Sequence, residues 1–290
     1  MSSDPAKAIM TGIFKTASFV KTYKLAEKLT GPVAEALIDY TGIISYPSPP
    51  VILDNACGLG IVSSILNRKV NEQVRQRWEL TAGDFSEAMV EYASQRGKEE
   101  GWLNTEMKVV DAQDTKLPTG QYTHIFATFA FQAIPDADAA LRESFRTLRS
   151  GGILASATWK HVPWITHMKR AIETISSDLH WPDSEQFVKA TSRGWEAETA
   201  IESLLKKEGF TDVQVTTVTK TIELPIAEVV DLSVSILPAL LSKYWTEEQR
   251  DEYAERVPAA VQQYLEQKYG VGALVPLEPV GIIATARKSE

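Results

Sequence analysis

One cysteine, Cys57, occurs in 290 residues, so no internal disulfide can form and a hydrophobic core has to hold the fold. Long apolar runs are missing as well. The longest weakly polar stretch, Ala227 to Leu241, contains Glu228, Asp231 and Pro238 and falls short of the roughly 20 apolar residues that span a bilayer. The first residues, "MSSDPAKAIMTGIFKTASF", lack the continuous apolar segment of a signal peptide. These absences point to a reducing, cytoplasmic setting and no membrane partner. Basic clusters are absent too: 30 Lys and Arg stand against 38 Asp and Glu, a net charge of −8, which repels a phosphate backbone and argues against nucleic acid. The four histidines do not combine with acids at ligand spacing, so no metal is expected. What remains is ordinary globular composition, 44% hydrophobic and 23% charged.

Strand and helix patterns alternate along the chain. Strands are expected at Val51 to Asp54, Trp78 to Gly83, Glu106 to Asp111, Thr123 to Thr128 and Ile153 to about Thr158, with helices from Ile61, Ser86 to Arg96 and Asp138 to Arg149 between them. Such alternation implies a parallel sheet covered on both faces. Ahead of it, "FVKTYKLAEKLTGPVAEALIDYTG" reads as two helices broken at Gly31-Pro32, the second capped by Thr30. After Trp159 come two helices, a period-2 strand "TDVQVTTVTKTIEL", a long helical interval and a closing strand "PVGIIATARKSE". One domain over residues 1–290 follows: a helical lid over 1–48, a core over 49–160, and the remaining strands with an inserted helical cap over 161–290.

In an open parallel sheet the ligand sits beyond the carboxyl ends of the strands. At the first end, "LDNACGLG", Gly58 and Gly60 allow a tight turn and close backbone approach. Gly58, Gly60 and Ser63 approximate a dinucleotide motif, but Asp54 stands where a pyrophosphate would be repelled and a cation attracted. At the second end Asp84 is placed for ribose hydroxyls, Phe85 and Met89 for the faces of an adenine, and Ser86 for a helix cap. At the third, Asp111 and the Ala112 N–H suit an adenine edge, with Gln113 beside them. At the fourth, "THIFATFAFQAIPD", Thr128 and Phe129 belong near the cofactor's reactive end and Phe131 and Gln132 near an acceptor. This last stretch has neither an acid before Pro135 nor an Asn-Pro-Pro-aromatic sequence, which argues against metal-assisted catechol chemistry and against methylation of nucleic-acid bases.

With "VILDNACGLG", "AGDFSEAMVEYA", "VVDAQDTKLP" and "YTHIFATFAFQAIPDADAALRESFRTLRSGGILASATW", the chain resembles the class I S-adenosylmethionine (SAM)-dependent methyltransferases of the ubiquinone/menaquinone-type branch. It is similar above all to the fungal small-molecule thiol methyltransferases typified by the gliotoxin bis-thiomethyltransferase, a likeness that includes "FVKTYKLAEKLTG", "YWTEEQR" and "VPLEPVG". The resemblance implies a Rossmann-like α/β fold with a doubly wound, mostly parallel seven-stranded sheet. It implies SAM as cofactor and S-adenosylhomocysteine as product, with Asn55, Ala56 and Gly58 in the binding turn. Ala56 departs from the broad pattern by replacing its first glycine. The implied reaction is methylation of both thiols of a reduced epidithiodiketopiperazine. O- or N-methylation of another metabolite, or SAM binding without transfer, remain as alternatives.

Methyl transfer from a sulfonium is an in-line displacement, so alignment and water exclusion dominate. A thiol, with a pKa of about 8.5, needs little help from a base. His161 is the one candidate base, just past a strand end. Phe129, Phe131, Trp159, Trp164, Trp181, Trp195, Tyr244 and Trp245 gather where the cap should fold, which suits a flat apolar small molecule. Tyr23, followed by Lys24 and Thr30, lies in the helices expected to close over the cofactor's methionine part. The oligomeric state is not legible.

Overall fold

The computed structural model describes residues 17–289. Helix α1 (Ala17–Tyr40) precedes β1 (Val51–Asn55), α2 (Ile61–Lys69), the short α3 (Glu72–Arg75), β2 (Glu79–Asp84), α4 (Glu87–Glu100) and β3 (Thr105–Val109). Then come β4 (Tyr122–Thr128), α5 (Ala137–Thr147), β5 (Leu148–His161), α6 (Pro163–Ile175), α7 (Ser184–Ser192), α8 (Glu198–Lys207) and β6 (Phe210–Thr219). The chain ends with β7 (Ile222–Pro225), α9 (Ile226–Tyr244), α10 (Glu247–Tyr253), α11 (Val257–Tyr269), β8 (Leu274–Leu277) and β9 (Val280–Lys288).

Seven strands form the main sheet in the order β3-β2-β1-β4-β5-β9-β6. The first five are mutually parallel, and β9 enters antiparallel between β5 and β6. Strands β1 and β4 read as apolar runs because helices cover both faces. Ile52 and Phe126 face the core under α1 and α2, with Val33, Leu37 and Ile65. Leu53, Ile125 and Ala127 face the other core, with Leu141, Trp195, Ile201 and Phe210. Because β1 pairs with β2 on one side and β4 on the other, the order of the strands reverses here. That places Asn55, Asp84 and Thr128 around the switch point where ligands bind.

Where the sequence reading expected two helices broken at Gly31-Pro32, α1 runs through both residues. Leu29, Val33, Ala34, Leu37 and Ile38 form one buried stripe across the proline. An interior proline costs about 3 kcal/mol, whereas each buried large apolar side chain contributes about 1.5–3 kcal/mol, so the stripe prevails. Thr30 is consequently not a cap: its hydroxyl donates to the Ala26 carbonyl one turn back, at 3.3 Å. The expected strand over 211–224 is divided. β6 ends at Thr219, and Ile222 to Pro225 leave the sheet to pair with Leu274 to Leu277 in a separate two-stranded ribbon. Three helices rather than the expected two lie between Trp159 and β6: α7 is the additional one, and it starts from a capping box of Asp183 and Gln186.

The cap is a third core, in which α6, α9 and α11 bury Ile165, Met168, Val229, Leu240 and Val261 against Leu224 and Val275 of the ribbon. Among the described residues, no helix is long and apolar enough to cross a membrane.

Candidate active site

The turn after β1 is fixed by hydrogen bonds from three directions. Asp54 Oδ2 accepts from Ser63 N at 3.1 Å and Ser63 Oγ at 2.7 Å, tying the strand end to the first turn of α2. Burial raises the Asp54 carboxyl from 3.8 to about 6; the two Ser63 bonds oppose the shift and the field of Asp84 adds to it. The sequence suggests Asp54 as a partner for a cation. Its direct partner in the structure is Ser63. Cys57 N donates to Gly83 O at 2.9 Å, and Gly58 N to Asp84 Oδ2 at 3.0 Å. Cys57 is buried, which pushes its thiol up and makes it a poor nucleophile.

Two residues of the turn show why small side chains are required. Ala56 adopts φ 55°, a left-handed conformation that costs an L-residue about 1–2 kcal/mol and explains why glycine is usual here. Gly58 also has positive φ, and a Cβ on it would lie 2.5 Å from Tyr23 Oη. Tyr23 of α1 therefore sits directly on the turn. Its phenol is raised by burial and by the nearby Asp84, Glu27, Cys57 and Asp54. Trp102, which the sequence reading did not single out, packs against Gly60 and Gly97. As a lone aromatic in the loop "GWLN" it gives no periodic signal.

Asp84 is held by backbone amides. Besides Gly58 N, it accepts from Ser86 N at 3.0 Å and from the Phe85 amide, and these bonds oppose the upward shift caused by burial. Ser86 Oγ caps α4 by accepting from Met89 N at 3.5 Å, with Met89 buried behind it and Phe85 half-buried. Asp111 Oδ1 accepts from Gln113 N at 3.0 Å and Gln113 Nε2 at 2.9 Å. Gln113 Oε1 in turn accepts from Asp136 N at 3.0 Å, so this glutamine braces the Asp111 loop against α5, with Ala112 buried between.

Two polar atoms at the strand ends stand apart. Asn55 Oδ1 and Thr128 Oγ1 are buried with no hydrogen-bond partner among the described residues. An unsatisfied buried polar atom costs about 1–3 kcal/mol, and two at neighbouring strand ends mark a place for a polar ligand.

On the acceptor side Phe129 takes φ 56°, held by Phe129 N donating to Ala157 O at 2.7 Å. Its ring lies 4.3 Å from Trp159, which meets Trp164 edge-on at 6.3 Å. Gln132 Oε1 accepts from Trp159 N at 3.2 Å and so supports this aromatic wall. Phe131 does not join it. It is fully buried and stacks on Trp195 at 4.5 Å, inside the core near α8. Trp164 is nine-tenths buried in the cap and its indole N–H has no partner among the described residues.

His161 ends β5 half-buried, its pKa lowered by burial, with no ion-pair partner among the described residues. His167 is deeper in the cap beside Tyr264 and Tyr269, and burial, with Lys268 adding, lowers it to about 4. No group of metal-ligating side chains occurs among the described residues.

Residues 52–152, which contain all four strand ends, match the family model described as "Methyltransferase domain". The chain is 43% identical to the acetylaranotin bis-thiomethyltransferase of Aspergillus terreus, covering 98% of this chain and 99% of that one. It is also 43% identical to methyltransferase tpcH of Aspergillus fumigatus, covering 95% and 98% respectively. Among solved structures, the YcgJ protein from Bacillus subtilis superposes with a TM-score of 0.52 at 17% identity, covering 89% of this chain and 98% of that chain. With a sheet of this order, its turn at the switch point and near-complete coverage of these relatives, the chain belongs to the S-adenosylmethionine-dependent methyltransferases.

Proposed function

We propose that the protein methylates the thiols of a small apolar dithiol, such as a reduced epidithiodiketopiperazine, with SAM as donor and no metal. The observation that carries the acceptor is the reach of the likeness to the acetylaranotin bis-thiomethyltransferase. It runs over 284 residues and therefore through the cap and the ribbon as well as the cofactor half. An aromatic wall of Phe129, Trp159 and Trp164 is consistent with a flat apolar acceptor.

The strand ends fit the cofactor. Asn55 Oδ1 and Thr128 Oγ1 are unsatisfied and suit the polar amino-acid end, over which Tyr23 closes. Asp84 accepts three amide hydrogens and keeps lone-pair capacity for ribose hydroxyls, since a carboxylate offers about four acceptor sites. Phe85 and Met89 would flank the adenine and Asp111 and Ala112 would meet its edge, with Gln113 orienting Asp111 and Ala56 with Gly58 shaping the turn. When bound, SAM supplies a methyl group on a sulfonium. The chain's task is to align the acceptor sulfur in line with that methyl and exclude water. A C–S bond to the sulfonium breaks as one to the thiolate forms, and the thiol proton passes to solvent. A thiol of pKa about 8.5 needs no strong base, in keeping with a His161 that lacks an orienting carboxylate among the described residues.

The test is mass spectrometry after incubation with SAM and a mixed panel of thiol, phenol and amine acceptors that includes a reduced epidithiodiketopiperazine. Products heavier by one and then two methyl groups on the dithiol are expected. Methylation of phenols in preference to every thiol, with a steep loss in His161→Ala, would replace this reading with O-methylation.

A further inference from the structure

Arg96, on α4, is not one of the residues at the strand ends, yet it binds three parts of the site's frame. Its Nη1 donates to both carboxylate oxygens of Glu27 on α1 at 3.0 Å and to the Leu59 carbonyl in the glycine turn at 3.2 Å. Its Nε donates to Glu100 Oε1 at 2.8 Å. Glu100 Oε2 accepts from Ser64 Oγ at 2.6 Å and from Trp102 Nε1 at 2.8 Å, so the same network reaches α2 and the ring that packs on Gly60. Glu27 and Arg96 side chains are 12% and 17% exposed, which shields the pair from the screening that weakens surface ion pairs.

Tyr23 and Glu27 lie four residues apart in α1 and therefore share a face. Tyr23 rests on Gly58, so the lid cannot lift from the turn without drawing Glu27 from Arg96. Arg96 would then still be held by Glu100 and the Leu59 carbonyl. The Glu27 contact is thus the one that parts, and the Arg96 side stays with the turn.

We propose that Arg96 and Glu27 are positioning residues that latch the lid helix to the glycine turn and set the rate at which SAM enters and S-adenosylhomocysteine leaves. They act through Tyr23 and the Leu59 carbonyl and touch no reacting atom. The proposal rests on SAM binding at this turn and is independent of the acceptor.

Stopped-flow and calorimetric binding of SAM and S-adenosylhomocysteine to the full-length protein test it, with a thermal melt of each variant alongside. Glu27→Gln keeps the shape of the side chain and removes its charge. It is expected to speed S-adenosylhomocysteine dissociation about tenfold, the change that loss of one charge-assisted contact gives, while the melting temperature moves little. Arg96→Lys keeps a positive charge but cannot reach Glu27 and Leu59 together. It is expected to act in the same direction and serves as the second variant if Glu27→Gln does not fold. In the Glu27→Gln/Arg96→Gln cycle the effects on dissociation should be strongly non-additive. Dissociation faster by about fivefold or more supports the latch; a smaller change, or additive effects, overturns it. Failure of the wild-type protein to bind SAM would overturn the cofactor site itself, a result distinct from unchanged kinetics in Glu27→Gln.

Discussion

Replacing Asp54 with asparagine should make the ligand-free protein more stable and a poorer binder of SAM. The carboxyl is 2% exposed and burial moves it from 3.8 to about 6. At about 1.36 kcal/mol per pKa unit, the charged form costs the fold about 3 kcal/mol at pH 7. Because the folded-state value is raised, the protein is favoured below pH 3.8 and loses this contribution as pH rises from 3.8 through about 6. An asparagine oxygen can still accept from Ser63 N and Oγ, both of which bind the single oxygen Oδ2, although a neutral acceptor forgoes about half the strength of those bonds. The net gain at pH 7 is about 1–2 kcal/mol, or a rise in Tm of roughly 2–3 °C for a chain of this length. Thermal unfolding of both proteins without cofactor, between pH 4.5 and 8, measures it. The difference should be near zero or negative at the acid end and grow through pH 6. Calorimetry should show SAM affinity falling by about tenfold, since the lost charge no longer offsets that of the ligand. A difference in stability that does not vary with pH, or an Asp54→Asn variant less stable than wild type at pH 7, would refute the reasoning.

Gly58→Ala should lower SAM affinity more than tenfold in calorimetry: the new Cβ would meet Tyr23 Oη at 2.5 Å and Cζ at 2.9 Å, and the positive φ adds backbone strain of about 1–2 kcal/mol. Adding Tyr23→Ala should recover the melting temperature in part, because it removes the clash but not the strain. His161→Ala should leave kcat/KM for thiol acceptors within about threefold between pH 7 and 9, where the ionisation of the acceptor thiol itself governs the rate.

The sheet was legible because β1 and β4 are short apolar runs, because strand and helix patterns alternate with turn residues between them, and because Asp54, Asp84 and Asp111 each lie at or just past a strand end. What those acids touch was not. Sequence spacing places a carboxylate at an edge, but the amides of Ser63, Gly58 and Ser86 reach it only through the path of the turn. Phe131 was misplaced for a related reason. Thr128 and Phe131 are close in sequence, yet the positive φ at Phe129 redirects the chain and sends Phe131 to Trp195. At Gly31-Pro32 the local breaker signal is present but is overridden by the burial of residues on both sides. The latch is long-range: Glu27 and Arg96 are 69 residues apart, and neither residue type nor local pattern pairs them.

Several local costs meet at the carboxyl edge of the sheet, although others lie elsewhere among the described residues, such as the unsatisfied His124 Nε2 and Trp181 Nε1. Ala56 and Phe129 hold positive φ, Asp54 and Asp84 are ionisable groups disfavoured by burial, and Asn55 and Thr128 keep unsatisfied polar atoms. Of the other non-glycine positive φ values among the described residues, Asn104 and Asp212 belong to types that tolerate that conformation, whereas Lys116 and Arg193 hold it away from the strand ends. Natural sequences place such conflicts where function requires them. The sign of each is informative: two acids shifted toward the neutral form are relieved by a cation, and an unpaired amide oxygen is relieved by a hydrogen-bond donor. A ligand with a sulfonium and an ammonium supplies both, whereas a pyrophosphate would add negative charge beside Asp54 and Asp84 and leave Asn55 Oδ1 unsatisfied. The signs of these costs agree with the cofactor proposed for this turn, whereas the glycine spacing would have served a dinucleotide almost as well.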